Sequence, residues 1–142
     1  MIGWVTVAAV ASAVTISGAA QAAQIEIVAR LQNENVAVLK PAGRQGDAES
    51  SHWIVRDRHG RSIGDMLIDC RWVTSDLRLC VGQLSLPLGA IAVLGASRTR
   101  FLGQFAVVGG TGRYVGADGT LLFNQTGRGR YVLSINYRTE ER

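Results

Sequence analysis

The sequence predicts an all-β domain, either a sandwich or a barrel. From Ile25 onward, short apolar or alternating runs recur between clusters of turn residues, the spacing of strands in such folds. No later stretch of about ten residues carries the 3.6-residue apolar period of a packed helix. The third observation is the stretch Val107-Val108-Gly109-Gly110-Thr111-Gly112-Arg113-Tyr114-Val115-Gly116-Ala117-Asp118-Gly119. An apolar run, Phe105 to Val108, ends in this glycine cluster, and a strand-like run, Thr120 to Asn124, follows it. Glycine supplies left-handed or crowded backbone positions. Gly109, Gly110, Gly112, Gly116 and Gly119 therefore read as structural turn residues, with Tyr114 as the ring that anchors them.

Taken in order, the chain opens on a segment outside the domain. Met1 to Ala23 holds no charged side chain, and it ends in Ala20-Gln21-Ala22, the small-x-small pattern of a signal-peptidase site. Residues 1–23 are expected to be a cleaved signal peptide. Residues 24–142 are then a single domain in a secreted, periplasmic or cell-envelope protein. No Lys or Arg precedes the apolar run, which departs from the signal pattern. About 20 apolar residues can also span a bilayer, so an uncleaved anchor and a buried first helix are the rival readings.

The first strand shows the clearest alternation, with Ile25, Ile27, Ala29 and Leu31 on one face of Ile25 to Gln32. Val36 to Leu39 continues or follows it. Pro41 to Ser51 holds Gly43, Gly46, Asp47 and two serines and reads as a long loop. Further runs are His52–Arg58, Ile63–Val73, Leu77–Leu86, Ala90–Gly95, Thr99–Val108, Thr120–Thr126 and Arg130–Tyr137. Turn signals at 57–60, 74–76, 87–89 and 127–129 separate most of them. Closing the sheet into a barrel would remove its exposed edges.

Cys70 and Cys80 flank the turn Thr74-Ser75-Asp76. If Ser75 is its centre, Cys70 opposes Cys80 and Trp72 opposes Arg78. Opposed Cβ atoms in antiparallel strands lie about 4.5–5.5 Å apart, a small adjustment from disulfide range. A disulfide suits an exported chain. The alternatives are a catalytic thiol, which lacks a neighbouring histidine to activate it, and a metal site. Cys70, Cys80, His52 and His59 lack zinc-ligand spacing, so no metal is expected.

Nucleotide chemistry is excluded by spacing. A P-loop ends in Gly-Lys-Ser/Thr, whereas Gly112 is followed by Arg113-Tyr114. A dinucleotide fingerprint places its third glycine where Val115 stands, and it opens a helix. The net charge is +4, and Lys40 is the single lysine among 15 basic residues. Two basic clusters stand out, Arg56-Asp57-Arg58-His59-Gly60-Arg61 and Arg128-Gly129-Arg130. No aromatic–arginine ladder for single-stranded nucleic acid accompanies them, and no nucleic-acid partner is expected. They read as a solvated rim, with attraction to anionic cell-surface polymers as the alternative.

No Ser-His-Asp order, HExxH or EF-hand loop is present. The remaining candidates for chemistry are polar residues on strands. Asp65, Asp69 and Arg71 share one face of the third run, and an acid held among apolar groups can donate a proton. They are the candidate catalytic residues, with a solvated outer face as the alternative. Trp53, Trp72, Tyr114, Asn124 and Tyr131 are the candidate ligand-binding residues. Arg56 and Tyr137 are further polar groups for a cavity or its mouth, and core packing is the competing role for the rings.

The glycine stretch, Phe105 to Gly119, resembles the signature turn of the allene oxide cyclase and dirigent superfamily. Leu84-Ser85-Leu86-Pro87-Leu88-Gly89-Ala90-Ile91 and the pattern Cys70 with Leu79-Cys80-Val81-Gly82 are similar to that superfamily's segments. The resemblance covers about residues 57–137. It implies an eight-stranded antiparallel up-and-down barrel with an apolar lumen, no cofactor, and a homodimer or homotrimer. The paired acids and arginine of dirigent proteins resemble Asp65, Asp69 and Arg71. The first-strand glutamate and asparagine of plant cyclases find similar residue types within Arg30-Leu31-Gln32-Asn33-Glu34-Asn35. Three functions remain open. The barrel guides cyclisation or stereoselective coupling of a hydrophobic small molecule; it binds such a molecule without turnover; or it is a structural or surface-interaction protein with a filled lumen.

Overall fold

The computed structural model describes residues 22–37, 45–98 and 103–139. Eight strands close into one antiparallel barrel in sequence order. They are β1 (Ala22–Ala37), β2 (Ala48–Arg56), β3 (Ser62–Trp72), β4 (Arg78–Leu86), β5 (Gly89–Ser97), β6 (Gln104–Gly110), β7 (Asp118–Gly127) and β8 (Arg130–Arg138). A single 3-10 turn, Gly112–Tyr114, sits between β6 and β7. The all-β expectation and the closed eight-stranded form both hold. Of the expected signal segment 1–23, residues 1–21 lie outside the described residues.

Closure rests on β1. Its first half pairs with β8, from Ala22↔Arg138 to Arg30↔Arg130. Its second half pairs with β2, from Val28↔Arg56 to Ala37↔Ala48. The offset between the two registers is the stagger that a barrel needs to close. It also corrects the reading of Pro41–Ser51 as a loop. Ala48–Ser51 are strand residues, paired with Arg71–Ile68 of β3, because the sheet extends its ladder over polar residues as readily as apolar ones. Residues 41–44 and 99–102 lie outside the described residues.

Alternation sends one face of every strand inward. The inward sets include Ile27 and Ala29 of β1, Trp53 and Val55 of β2, Met66 and Ile68 of β3, Leu84 of β4, Ile91 and Val93 of β5, and Leu121 and Phe123 of β7, all buried. Val107 of β6 and Leu133 and Ile135 of β8 complete the core. A fully buried Leu, Ile or Phe contributes roughly 1.5–3 kcal/mol. Gly95 leaves room for the buried ring of Phe105 on β6: a Cβ there would stand 2.7 Å from it.

The β3–β4 hairpin has the register deduced from its turn, with Cys70↔Cys80 and Trp72↔Arg78 opposed. Cys70 and Cys80 form a disulfide, their Cα atoms 4.0 Å apart. Closing so short a loop stabilises the fold by about 2–3 kcal/mol on the chain-entropy model.

The glycine stretch is a strand-to-strand corner, not a phosphate loop. Gly109, Gly112, Gly116 and Gly119 take positive φ, whereas Gly110 does not. Gly110 serves by close approach, since a Cβ there would meet the Ala90 oxygen at 2.4 Å and the Tyr114 oxygen at 2.6 Å. Arg113 N–H donates to Leu88 O at 2.9 Å and Thr111 N–H to Ala90 O at 2.8 Å, which pins this corner to the β4–β5 turn.

Candidate functional site

The strand directions give the barrel two unlike ends. One carries the β2–β3, β4–β5 and β6–β7 turns. The other carries the β3–β4 and β7–β8 hairpins. Between them the lumen is filled largely by side chains of the barrel itself. Toward the hairpin end four rings meet edge to face. Trp53 stands 5.1 Å from Tyr131 and 6.4 Å from Phe123, and Phe123 stands 5.5 Å from Phe105 and 5.9 Å from Tyr131. Trp53 Nε1–H donates to Ser51 Oγ at 2.9 Å, so its one polar atom is satisfied.

A charged group lies at the edge of this aromatic half. Arg78, the first residue of β4, is fully buried. It is two positions from Cys80, which pairs with Gly95, the residue beneath Phe105. Its Nη1 donates to Glu49 Oε2 at 3.0 Å. Its guanidinium carbon lies 5.6 Å from the centre of the Trp72 ring, within cation–π range. Among the described residues, the Nε–H and Nη2 donors have no acceptor. Buried polar groups are nearly always hydrogen-bonded, and an orphaned one calls for a physical reason. Asp47 is buried at the same end, where its carbonyl accepts Trp72 N–H at 2.9 Å.

Neither Arg78 nor Glu49 is among the sequence-predicted site residues. For Arg78 the signal is present in the sequence: the hairpin register sets it opposite Trp72, and it shares parity with the apolar Cys80 and Leu84. Glu49 lies within Pro41–Ser51, 29 residues from its partner.

The candidate catalytic residues point the other way. Met66, Ile68, Cys70 and Trp72 are the buried face of β3, so Asp65, Asp69 and Arg71 stand exposed on the outer wall. This corrects the expectation that they line the lumen. The apolar residues of an alternating strand go inward, and the charged ones follow the opposite parity. Asp65 lies 2.8 Å from His52 Nε2, and Asp69 accepts a hydrogen bond from Ser50 Oγ. Asn124 and Arg56 are also exposed, for the same reason. Of the candidate ligand-binding residues, Trp53, Trp72, Tyr114 and Tyr131 are buried. Trp53 and Tyr131 belong to the four-ring cluster, Trp72 to Arg78, and Tyr114 to the opposite end. Among the described residues, no three His, Cys, Asp or Glu side chains form a metal-binding group.

At the turn end, Tyr114 plugs the lumen and meets Tyr137 with ring centres 5.6 Å apart. Desolvation raises the Tyr114 pKa above 10.0, the neighbouring Tyr137 adds to the rise, and Arg113 partly opposes it. An acid with a raised folded pKa keeps its proton longer in the folded state than in the unfolded chain. Its contribution to stability is complete below pH 10.0 and is lost as pH rises through the folded value. The melting temperature is expected to fall above about pH 10. In Tyr114→Phe that part of the fall should disappear, as thermal melts across the range would show. A groove of 680 Å³ lies between Gln24–Ile27 of β1 and the β2–β3 turn, with Ile25, Ile27 and Ile63 as its apolar lining.

No protein-family model and no curated protein sequence matches the chain. Solved structures do. A pyocyanin demethylase superposes with a TM-score of 0.72 at 20% identity, covering 81% of this chain and 99% of its own. The Diels–Alderase AbmU from Streptomyces koyangensis gives 0.70 at 19% identity, covering 83% of this chain and 64% of its own. AbnU, an exo-specific intermolecular Diels–Alderase, gives 0.66 at 16% identity over 83% of this chain and 98% of its own. At such identities the likeness is one of fold: this chain has the architecture of small eight-stranded barrels that include enzymes acting on small molecules.

Proposed function

We propose that this barrel holds a small, largely apolar molecule in the aromatic half of its lumen and guides its cyclisation or stereoselective coupling. The observation that carries the reading is Arg78, a fully buried guanidinium whose Nε and Nη2 have no acceptor among the described residues. An apolar chamber with one convergent polar group is the usual composition of a small-molecule site. A carbonyl or similar oxygen of the ligand would take the free N–H groups. The hydrogen bonds would draw electron density from the bonded group and favour attack on the carbons conjugated to it. The rings of Trp53, Phe105, Phe123 and Tyr131 would hold the reacting ends close, and positioning alone supplies several kcal/mol to such reactions.

The solved barrels that catalyse cycloaddition support this reading as relatives in fold, and the glycine corner supports the allene oxide cyclase and dirigent resemblance. Export belongs to the same proposal, and a disulfide suits an oxidising compartment. So does self-association as a homodimer or homotrimer, for which the exposed Leu67, Leu79, Val81 and Leu94 on the outer face of β3–β5 offer an apolar surface.

The packing of the lumen favours a second reading, a structural or surface-interaction barrel filled by its own core. Native mass spectrometry of the chain from Ala23, after incubation with an extract of its host, decides between them. The first reading predicts a retained small-molecule adduct, a change in tryptophan fluorescence as rings move aside, and loss of the adduct in Arg78→Met. Repeated absence of any adduct on an intact barrel would count against the first and favour the second. An adduct kept undiminished by Arg78→Met would remove Arg78 as its anchor.

A further inference from the structure

The two basic clusters of the sequence meet on the outside of the barrel. Arg56 and Arg58 come from the β2–β3 side, and Arg128 and Arg130 from the β7–β8 hairpin. With Arg30 of β1 they line one cleft of 520 Å³. Barrel closure brings them together: Arg30 is the direct cross-strand partner of Arg130 on β8, and Arg56 is opposite Val28 on the other edge of β1. All five arginines are exposed.

This arrangement works against the fold. Like charges directly opposed on antiparallel strands are destabilising, and among the described residues no ion pair offsets it. Asp57, the one acid among the described residues of the cleft, is already bonded to Arg61, at 2.7 Å to Nη2 and 2.8 Å to Nε. It also accepts the backbone N–H groups of His59 and Arg61. Although desolvation acts to raise its pKa, these hydrogen bonds and the Arg61 charge hold it below the usual carboxylate value. Arg56 Nη1 donates to Gly60 O at 2.9 Å. Among the described residues, Arg30, Arg58, Arg128 and Arg130 form no ion pair. A local rule broken without compensation marks a functional site more often than an accident.

We propose that this cleft binds an oxyanion ligand carrying two or more phosphate groups. Guanidinium forks match phosphate oxygens in pairs and stay charged at any physiological pH. Guanidinium groups drawn from three separate segments suit several linked or neighbouring phosphates better than one. The site lies on the outer wall and shares no residue with the lumenal reading, so either can fail alone. The phosphates could belong to a free oligophosphate or to the headgroups of an anionic lipid surface.

The test uses the protein as its host processes it. Sodium tripolyphosphate and orthophosphate are titrated calorimetrically, and sedimentation is measured with phosphatidylglycerol–phosphatidylcholine vesicles and with pure phosphatidylcholine vesicles. The wild type is compared with Arg30→Gln/Arg130→Gln and with Arg98→Gln/Arg113→Gln, which loses the same charge elsewhere; circular dichroism confirms the barrel in each. The expected result is that tripolyphosphate binds more tightly than orthophosphate. The cleft variant should lose roughly tenfold or more, the control less than about twofold. Binding of tripolyphosphate alone would assign a free oligophosphate. Capture by the anionic vesicles, lost in the same cleft variant, would assign the headgroup. Equal losses in both variants, or no binding to any phosphate probe, would overturn the proposal.

Discussion

Gly112→Val is expected to lower the stability of the barrel by about 3–4 kcal/mol, measured by chemical denaturation. Gly112 has φ +58°, the left-handed region, which costs an L-residue roughly 1–2 kcal/mol and a β-branched one more. A Cβ there would also stand 2.3 Å from the Leu88 oxygen. That carbonyl accepts the Arg113 N–H, so moving it costs a further hydrogen bond of about 1 kcal/mol. Gly46→Ala is the internal comparison. Gly46 has φ +91° with nothing within 4 Å of an added Cβ, and only the backbone term of about 1–2 kcal/mol should appear. A Gly112→Val protein with the wild-type midpoint would show that the corner does not depend on this glycine.

The second large effect is an asymmetry between two partners of one ion pair. Glu49→Leu removes the acceptor of a guanidinium that cannot leave the lumen, and the remaining buried charge should cost about 2–3 kcal/mol. The figure is set below that of a fully buried pair because the Glu49 side chain keeps 17% exposure. Arg78→Met removes the buried charge and its two orphaned donors together, and it leaves a carboxylate that water can reach. Its stability should stay within about 1 kcal/mol of the wild type. Equal losses in the two variants would mean that Arg78 is an ordinary structural cation. Near-neutral stability with loss of ligand would mean that its burial serves binding.

Much of the fold was legible because it is written locally. The Cys70–Cys80 pairing followed from one turn, since a short hairpin leaves little freedom of register. The corner at Gly109–Gly119 followed from glycine spacing and from the β-rich runs around it. On β3 the deciding pattern is local as well. Met66, Ile68, Cys70 and Trp72 form an unbroken apolar parity, and that parity alone sends Asp65, Asp69 and Arg71 outward. At the start of β2 the turn-forming residues up to Asp47 drew Ala48–Ser51 into a loop. Strand propensity is weak there, and only the ladders to β1 and β3 make those residues a strand.

By itself, then, the sequence determined the all-β class, most of the strands, the hairpin register around the disulfide and the glycine corner. Each depends on residues within about a dozen positions of one another, where alternation and turn chemistry act directly. Only the tertiary structure decided that Arg78 meets Glu49 inside the lumen, that four rings from four strands fill one half of it, and that Arg30 stands against Arg130. The Arg78–Glu49 pair is set by the joint register of β2, β3 and β4, and the meetings of Trp53 with Tyr131 and of Arg30 with Arg130 by the stagger at which β1 closes on β8. That stagger is the joint outcome of packing every inward face at once, and no local segment encodes it.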